Sequence, residues 1–216
     1  MPTFPSVYDT LYQAFGPQNW WPAETPFEVA VGAVLTQNTA WINVERAIAN
    51  LKAADCLGPA TLHAMDPAEL AGLIRPAGYF NIKAQRLQAL CRFLLDEADG
   101  SLANLTNRDT SALRAQLLGI KGVGEETADS ILLYALHRRV FVVDAYTRRI
   151  FERLGLLKPG LGYGAIQAAF EGNLPRDRSL FNNYHALIVA LGKDYCKPKP
   201  RCEACPLQDL CPSAVT

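Results

Sequence analysis

Residues 117–149 read LLGIKGVGEETADSILLYALHRRVFVVDAYTRR, and how this stretch is read decides the fold. Leu117, Leu118 and Ile120 close one apolar helix. Gly122-Val123-Gly124 follow as a tight turn. Ala128, Ile131, Leu132, Ala135 and Leu136 then recur at the spacing of one buried helical face. Two helices joined by so short a glycine turn form an αα-hairpin. Glycine permits positive φ, and its missing side chain lets a phosphate reach the backbone N–H groups. Those groups open a helix whose N-terminal end favours an anion. A lone Gly-x-Gly also fits an ordinary turn. The glycine turn and the helix N-terminus together also read as a sequence-independent clamp on a nucleic-acid backbone.

Outside this stretch the composition sets limits. Half of the 216 residues are apolar, enough for a sizeable core in one large domain or two small ones. Lys and Arg number 21, as do Asp and Glu, so a phosphate-binding surface has to be a local patch. One candidate patch is His137, Arg138, Arg139, Arg148, Arg149 and Arg153. A second is Lys193, Lys197, Lys199 and Arg201. No apolar run reaches the ~18 residues of a membrane span, and MPTFPSVYDT lacks a signal-peptide layout. A cytoplasmic, membrane-free protein is expected.

Working outward, Val7 to Phe15 is a short helix, followed by Trp20-Trp21-Pro22. The paired indoles fit either a buried core or flat faces that hold a base drawn out of its stack. Residues 26–50 read as an apolar helix, a polar break at Thr36-Gln37-Asn38-Thr39, and an amphipathic helix. The break suits hydrogen bonds to DNA or a plain interhelical turn. Asp66-Pro67 starts a helix that ends near Leu73. Residues 75–79 turn, and Asn81 to Leu95 form a long helix. Asp109 caps the helix that enters the glycine turn. Helices near 147–154, 163–172 and 180–191 follow Asp144. No segment alternates with period two, so the fold is expected to be all-α.

The C-terminal end carries four cysteines, Cys196-x5-Cys202-x2-Cys205-x5-Cys211. Four thiolates within so short a stretch suit one metal centre, and tetrahedral zinc and a [4Fe–4S] cluster both accept four. The wide outer gaps and Pro212 favour the cluster. Lys197, Lys199 and Arg201 alternate with Pro198 and Pro200, a stiff loop with outward charge. Cys56 and Cys91 lack ligand spacing and read as core.

The pattern L-x-x-I-K-G-V-G-x-x-T-A followed by V-V-D-A-Y-T-R-R resembles the helix-hairpin-helix DNA glycosylases of the endonuclease III superfamily. WWP, GAVLTQNT, IRPAGYFNIKAQRL and IKGVGEETADSIL are similar to the bacterial 3-methyladenine DNA glycosylases of that superfamily, over most of residues 20–150. YCKPKPRCEACPLQDLC resembles the superfamily's cluster loop, with the first gap one residue shorter. The resemblance implies an all-α, two-lobed helix-hairpin-helix DNA glycosylase fold with a C-terminal [4Fe–4S] loop. One lobe would span 27–135, with the hairpin at about 112–137. The other would join 1–26 to 136–216, with the cluster loop at 196–211. Asp144 would be the catalytic carboxylate, near the crevice between the lobes. Cys196, Cys202, Cys205 and Cys211 would hold the cluster.

DNA contacts are expected from Lys121, Gly122, Val123, Gly124, Gln37, Asn38, Lys197, Lys199 and Arg201. The base pocket is expected from Trp20, Trp21 and Pro22. Bifunctional relatives attack with a lysine two residues beyond the turn; here that position is Glu126, which cannot form an imine and whose other reading is a pocket role. The expected activity is therefore hydrolytic removal of damaged bases, alkylated purines first, from double-stranded DNA by a monomer. The alternatives are a glycosylase/lyase for oxidised pyrimidines, and a catalytically weak lesion-binding protein.

Overall fold

The computed structural model describes residues 1–214, and among them there is no β-strand. In chain order the helices are α1 (Phe4–Phe15), α2 (Pro26–Leu35), α3 (Trp41–Ala53), α4 (Pro59–Ala64), α5 (Pro67–Leu73) and α6 (Phe80–Ala98). They continue as α7 (Thr110–Leu118), α8 (Glu125–Ser130), α9 (Ala145–Arg153), α10 (Tyr163–Asn173) and α11 (Arg178–Asp194). The starts are written in the sequence: Thr3, Thr25, Asp66, Asp109, Asp144 and Asp177 each accept a backbone N–H of the first turn. Such a cap is typically worth ~1 kcal/mol. α1 begins three residues before the expected Val7, because Thr3 and Ser6 form a reciprocal capping box around Pro5.

The chain divides into two compact units, residues 21–138 and residues 1–20 with 139 onward. In the first, α2 is buried from Glu28 to Leu35. A helix apolar on all sides belongs at the centre of its unit, and α3, α6 and α8 pack on it. Its C-terminal end is fastened by Lys83, only 1% exposed, whose Nζ donates to the carbonyls of Leu35 and Ala77, each at 2.8 Å. Burial and the nearby Arg86 charge pull the Lys83 amine down to about 8.

The second unit is built around α11. Phe181, Tyr184, His185, Leu187, Ile188 and Leu191 on this helix are buried. Phe151 and Phe170 pack with Tyr184, Phe4 packs on Phe151 and Phe170, and Phe141 stacks on Phe170 at 4.0 Å. The Tyr184 hydroxyl donates to the Phe4 carbonyl at 2.7 Å, which fastens the N-terminal helix to this core.

One element departs from the sequence reading. The apolar strip after the hairpin was expected to be one α-helix with a single buried face. Instead, α8 gives way after Ser130 to a π-helical turn, Ile131–Ala135, in which Leu136 N–H donates to Ile131 O. The physical reason is burial on every side: residues 127–136 are all buried, so no polar face enforces the 3.6-residue period. His137, at φ 57°, ends the segment.

Candidate functional site

Val140–Val143 is an extended run fixed from the side by α10. Phe141 N–H donates to Glu171 Oε1 at 3.0 Å, and Gln167 Nε2 donates to Phe141 O at 2.7 Å. Val143 N–H donates to the Tyr163 hydroxyl at 3.3 Å. This run delivers Asp144 to the N-cap of α9. Oδ1 accepts from Thr147 N–H at 2.7 Å and from the Thr147 hydroxyl at 2.8 Å. Oδ2 faces His185 Nε2 of α11 at 3.6 Å, and the two side chains are 10% and 7% exposed. Burial pushes the carboxyl pKa up, but His185 and the two Thr147 donors outweigh it and hold Asp144 below the usual carboxylate range. One oxygen thus builds the helix start while the other carries charge in a sheltered place. His185 is a neighbour of Asp144 that the sequence reading missed. It lies 41 positions away on another helix, and no local motif marks it.

The same helix reaches the cysteine loop. Arg149 Nε donates to Cys196 O at 2.8 Å. Arg153 donates to Cys196 Sγ at 3.2 Å, to Lys197 O at 2.7 Å and to Pro198 O at 3.0 Å. The Ser213 hydroxyl returns a bond to the Arg153 carbonyl at 2.8 Å. Both ends of the loop are therefore tied to α9. Gly192 of α11 allows this approach, since a Cβ there would overlap Tyr146.

These contacts correct the expected basic patch. Arg149 and Arg153 bind the loop, Arg148 donates to Leu161 O, and Arg138 donates to the carbonyls of Leu105, Thr106 and Arg108. An arginine beside carbonyls left over at helix and turn ends is more valuable inward than outward.

Cys196, Cys202, Cys205 and Cys211 all line one small pocket, partly open to solvent, with Arg153 and Tyr195 beside them. None of the four is in a disulfide. Among the described residues no three His, Cys, Asp or Glu side chains gather closely enough to hold a single metal ion. Four cysteine thiols lining one pocket suit the donor set of an iron–sulphur centre. Lys199 and Arg201 are exposed at the rim and Lys197 is half-buried.

In the unit of residues 21–138, the hairpin is held by an ion pair. Arg114 of α7 meets Asp129 of α8 with Nε–Oδ1 at 2.7 Å and Nη2–Oδ2 at 3.0 Å. Val123 is buried and donates to Ile120 O, whereas Lys121, Gly122, Gly124, Glu125 and Glu126 are exposed. Gly122 sits at φ 89°, the left-handed region, with Arg86 beneath it. Gly124 has an ordinary negative φ and open space around a would-be Cβ. Neither conformation nor internal packing requires glycine there, so the open side is free for an external group. No side chain caps α8.

Gln37 and Asn38 follow α2. Gln37 Nε2 donates to Gly122 O at 3.1 Å and to the Thr127 hydroxyl at 2.9 Å, while Asn38 is exposed at φ 54°. Trp21 packs edge-on to Trp41 at 5.0 Å and lies 5.1 Å from Tyr134 of the π turn. Pro22 is exposed beside it, and half-buried Trp20 belongs to the other unit. Trp41 and Tyr134 were not singled out by sequence. Their signal was a lone aromatic at a helix start and another inside an apolar strip.

Comparison with known proteins agrees with this geometry. Residues 31–176 match the HhH-GPD superfamily base excision DNA repair proteins, and residues 199–211 match the iron–sulphur binding domain of endonuclease III. The second match takes in Cys202, Cys205 and Cys211. A Methanocaldococcus jannaschii protein assigned as a DNA repair glycosylase is 51% identical over 207 residues, 95% of this chain and 94% of that protein. Endonuclease III of Thermotoga maritima is 30% identical over 86% of this chain and 82% of its own. Among solved structures, a non-covalent endonuclease III–DNA complex superposes with a TM-score of 0.84 at 25% identity, covering 99% of this chain and 97% of that one. The H. pylori 3-methyladenine DNA glycosylase bound to 1,N6-ethenoadenine gives 0.77 at 29% identity, covering 89% and 98%. A hairpin with an open glycine turn, a capped aspartate on α9 and a four-cysteine loop tied to that helix thus accompany matches along nearly the whole chain, which belongs to the HhH-GPD superfamily of base excision DNA repair proteins and is a DNA glycosylase of endonuclease III-like fold with that enzyme's iron–sulphur motif.

Proposed function

We propose that this glycosylase is monofunctional, removes alkylated purines from duplex DNA by hydrolysis, and acts as a monomer. The observation that carries the reading is Glu126. It stands two residues beyond the turn, exposed in the first turn of α8, where bifunctional relatives carry their amine nucleophile. A carboxylate cannot form the imine on which lyase chemistry depends. The substrate class is supported by the likeness to a 3-methyladenine glycosylase that binds 1,N6-ethenoadenine, and by the aromatic group of Trp21, Trp41 and Tyr134. A purine drawn from its stack presents a π-face that such rings receive. Pro22, next to Trp21 in the chain, completes the proposed pocket.

Cleavage of the N-glycosidic bond leaves positive charge on the sugar. The Asp144 carboxylate, kept ionised by His185 and Thr147, opposes that charge through Oδ2 and orients water for attack. The hairpin N–H groups, Lys121 and Asn38 hold the backbone, and Lys197, Lys199 and Arg201 add phosphate contacts from the cysteine loop. The four cysteines would hold a [4Fe–4S] cluster, whose contribution is to fix that loop.

Two outcomes test the reading. Borohydride added during turnover of a single-lesion duplex is expected to trap no protein–DNA adduct, leaving intact abasic sites. Across a lesion panel, excision is expected for 3-methyladenine or ethenoadenine and not for oxidised pyrimidines. An efficient trapped adduct would establish the bifunctional alternative, with exposed Lys121 the first nucleophile to replace. Protein purified without oxygen is expected to be brown, with about four irons per chain. Stoichiometric zinc without iron would rule out the cluster.

A further inference from the structure

Gln37 stands in a polar break that reads, from sequence, as a DNA contact. Its amide is engaged inside the protein instead. Nε2 donates to Gly122 O at 3.1 Å and to the Thr127 hydroxyl at 2.9 Å, and Oε1 accepts from Arg86 Nη1. The demands at the two ends of this side chain are opposite. A carbonyl faces the nitrogen and a guanidinium faces the oxygen, so the network fixes the amide's orientation and neither a carboxylate nor an amine could replace it. Arg86 also lies directly under Gly122, where a Cβ would collide with its aliphatic stem. The support beneath is rigid. Lys83, one turn earlier on α6, is buried and fastens the Leu35 carbonyl just before the break. Two residues of α6 therefore hold the break and the hairpin against each other.

We infer that Gln37 is a positioning residue for the hairpin: it acts on DNA through Gly122 and Thr127 rather than by touching it. The peptide it grips is the one at positive φ, between Lys121 and the open Gly124. Fixing the Gly122 carbonyl fixes the plane of the following peptide and, through the Thr127 hydroxyl, the first turn of α8. The N–H groups proposed to receive phosphate are then aimed before DNA arrives, which lowers the ordering cost of binding. Because Asn38 is the next residue, the hairpin and the exposed break are also held in register. This inference rests on the glycosylase reading of the hairpin.

The test uses the full-length protein with Gln37→Met, which keeps size and loses all three bonds. Thr127→Val and the double variant accompany it. Thr127 is buried, so any effect of its replacement on DNA binding is indirect. In DNA-free protein, amide exchange across residues 120–127 is expected to accelerate in Gln37→Met with the melting temperature little changed. Affinity for an abasic-analogue duplex is expected to fall about tenfold, as the loss of one or two hydrogen bonds gives. The single-turnover rate at saturating DNA should stay unchanged. The double variant should bind no worse than Gln37→Met, because both changes break one link. A second substitution, Gln37→Glu, keeps the Arg86 contact and sets an oxygen against Gly122 O. It should loosen the turn while leaving α6 protected. Weakened binding with unchanged exchange would overturn the inference in favour of direct contact, and unchanged binding and exchange would overturn it outright. If the unaltered protein bound no duplex at all, the DNA reading of the hairpin would fall, and this inference with it.

Discussion

Asp144→Asn is expected to slow base excision by about a hundredfold to a thousandfold while leaving the fold intact. The substitution keeps the size of the side chain and an oxygen for Thr147 N–H and its hydroxyl, now 2.7 and 2.8 Å from Oδ1. Asparagine caps helices about as well as aspartate. What disappears is the negative charge that opposes the developing sugar cation, and preorganised groups of this kind are commonly worth about 3–4 kcal/mol. Single-turnover excision on a saturating lesion duplex measures the loss. A variant retaining more than a tenth of the rate would show that Asp144 is only a cap. A stability signature accompanies the rate. The Asp144 pKa is depressed in the folded protein, so the unfolded chain takes up that proton first as pH falls. Its stabilisation is fully present above the ordinary carboxylate range and is lost on acidification through the lower, folded value. The melting gap between the native protein and Asp144→Asn should therefore be largest near neutral pH and narrow toward pH 3.

The second large effect is on folding. Arg114→Met is expected to destabilise the protein by about 3 kcal/mol, because Asp129 is wholly buried and loses a two-pronged partner. Removing one member of a buried pair typically costs ~3–5 kcal/mol, and the part-exposure of Arg114 places this case at the lower end. For a chain of this size that corresponds to a drop in melting temperature of roughly 6–12 °C. Replacing both residues, Arg114→Met with Asp129→Leu, should restore most of it, since an apolar pair carries no desolvation cost. A single variant melting within about 2 °C of the native protein would mean that the pair does not hold the hairpin together.

The link from α9 to the cysteine loop bears on how the two halves of the proposed chemistry share one element. Asp144 begins the helix, while Arg149 and Arg153 near its end grip both edges of the loop. Loss of the cluster would loosen a loop proposed to touch phosphate and the helix that aims the carboxylate. The Gly192–Tyr146 approach makes this arrangement intolerant of even a methyl group.

Much of this protein was decided locally. Capping aspartates and threonines mark six of the eleven helix starts, and the 3.6-residue period marks most of the helices and the absence of strands among the described residues, because those signals act within one or two turns of the chain. The four cysteines and the Gly-Val-Gly turn were equally legible, since ligand spacing and a positive φ at Gly122 are short-range demands. Other features depended on residues far apart in sequence. The π turn at 131–135 arises because that segment is buried on all sides, which no period in the sequence reveals. The arginines at 138, 148, 149 and 153 read as a phosphate patch until folding supplied carbonyls for them. Gln37 stands in a polar break of the sequence, and only the fold brings α6 and the hairpin around its amide. His185 became the partner of Asp144 only when α11 packed against α9. Local sequence determined which elements form; which polar groups face each other, and hence which remain for DNA, was decided by the tertiary structure, because a buried hydrogen-bonding group must find its partner wherever the packing puts one.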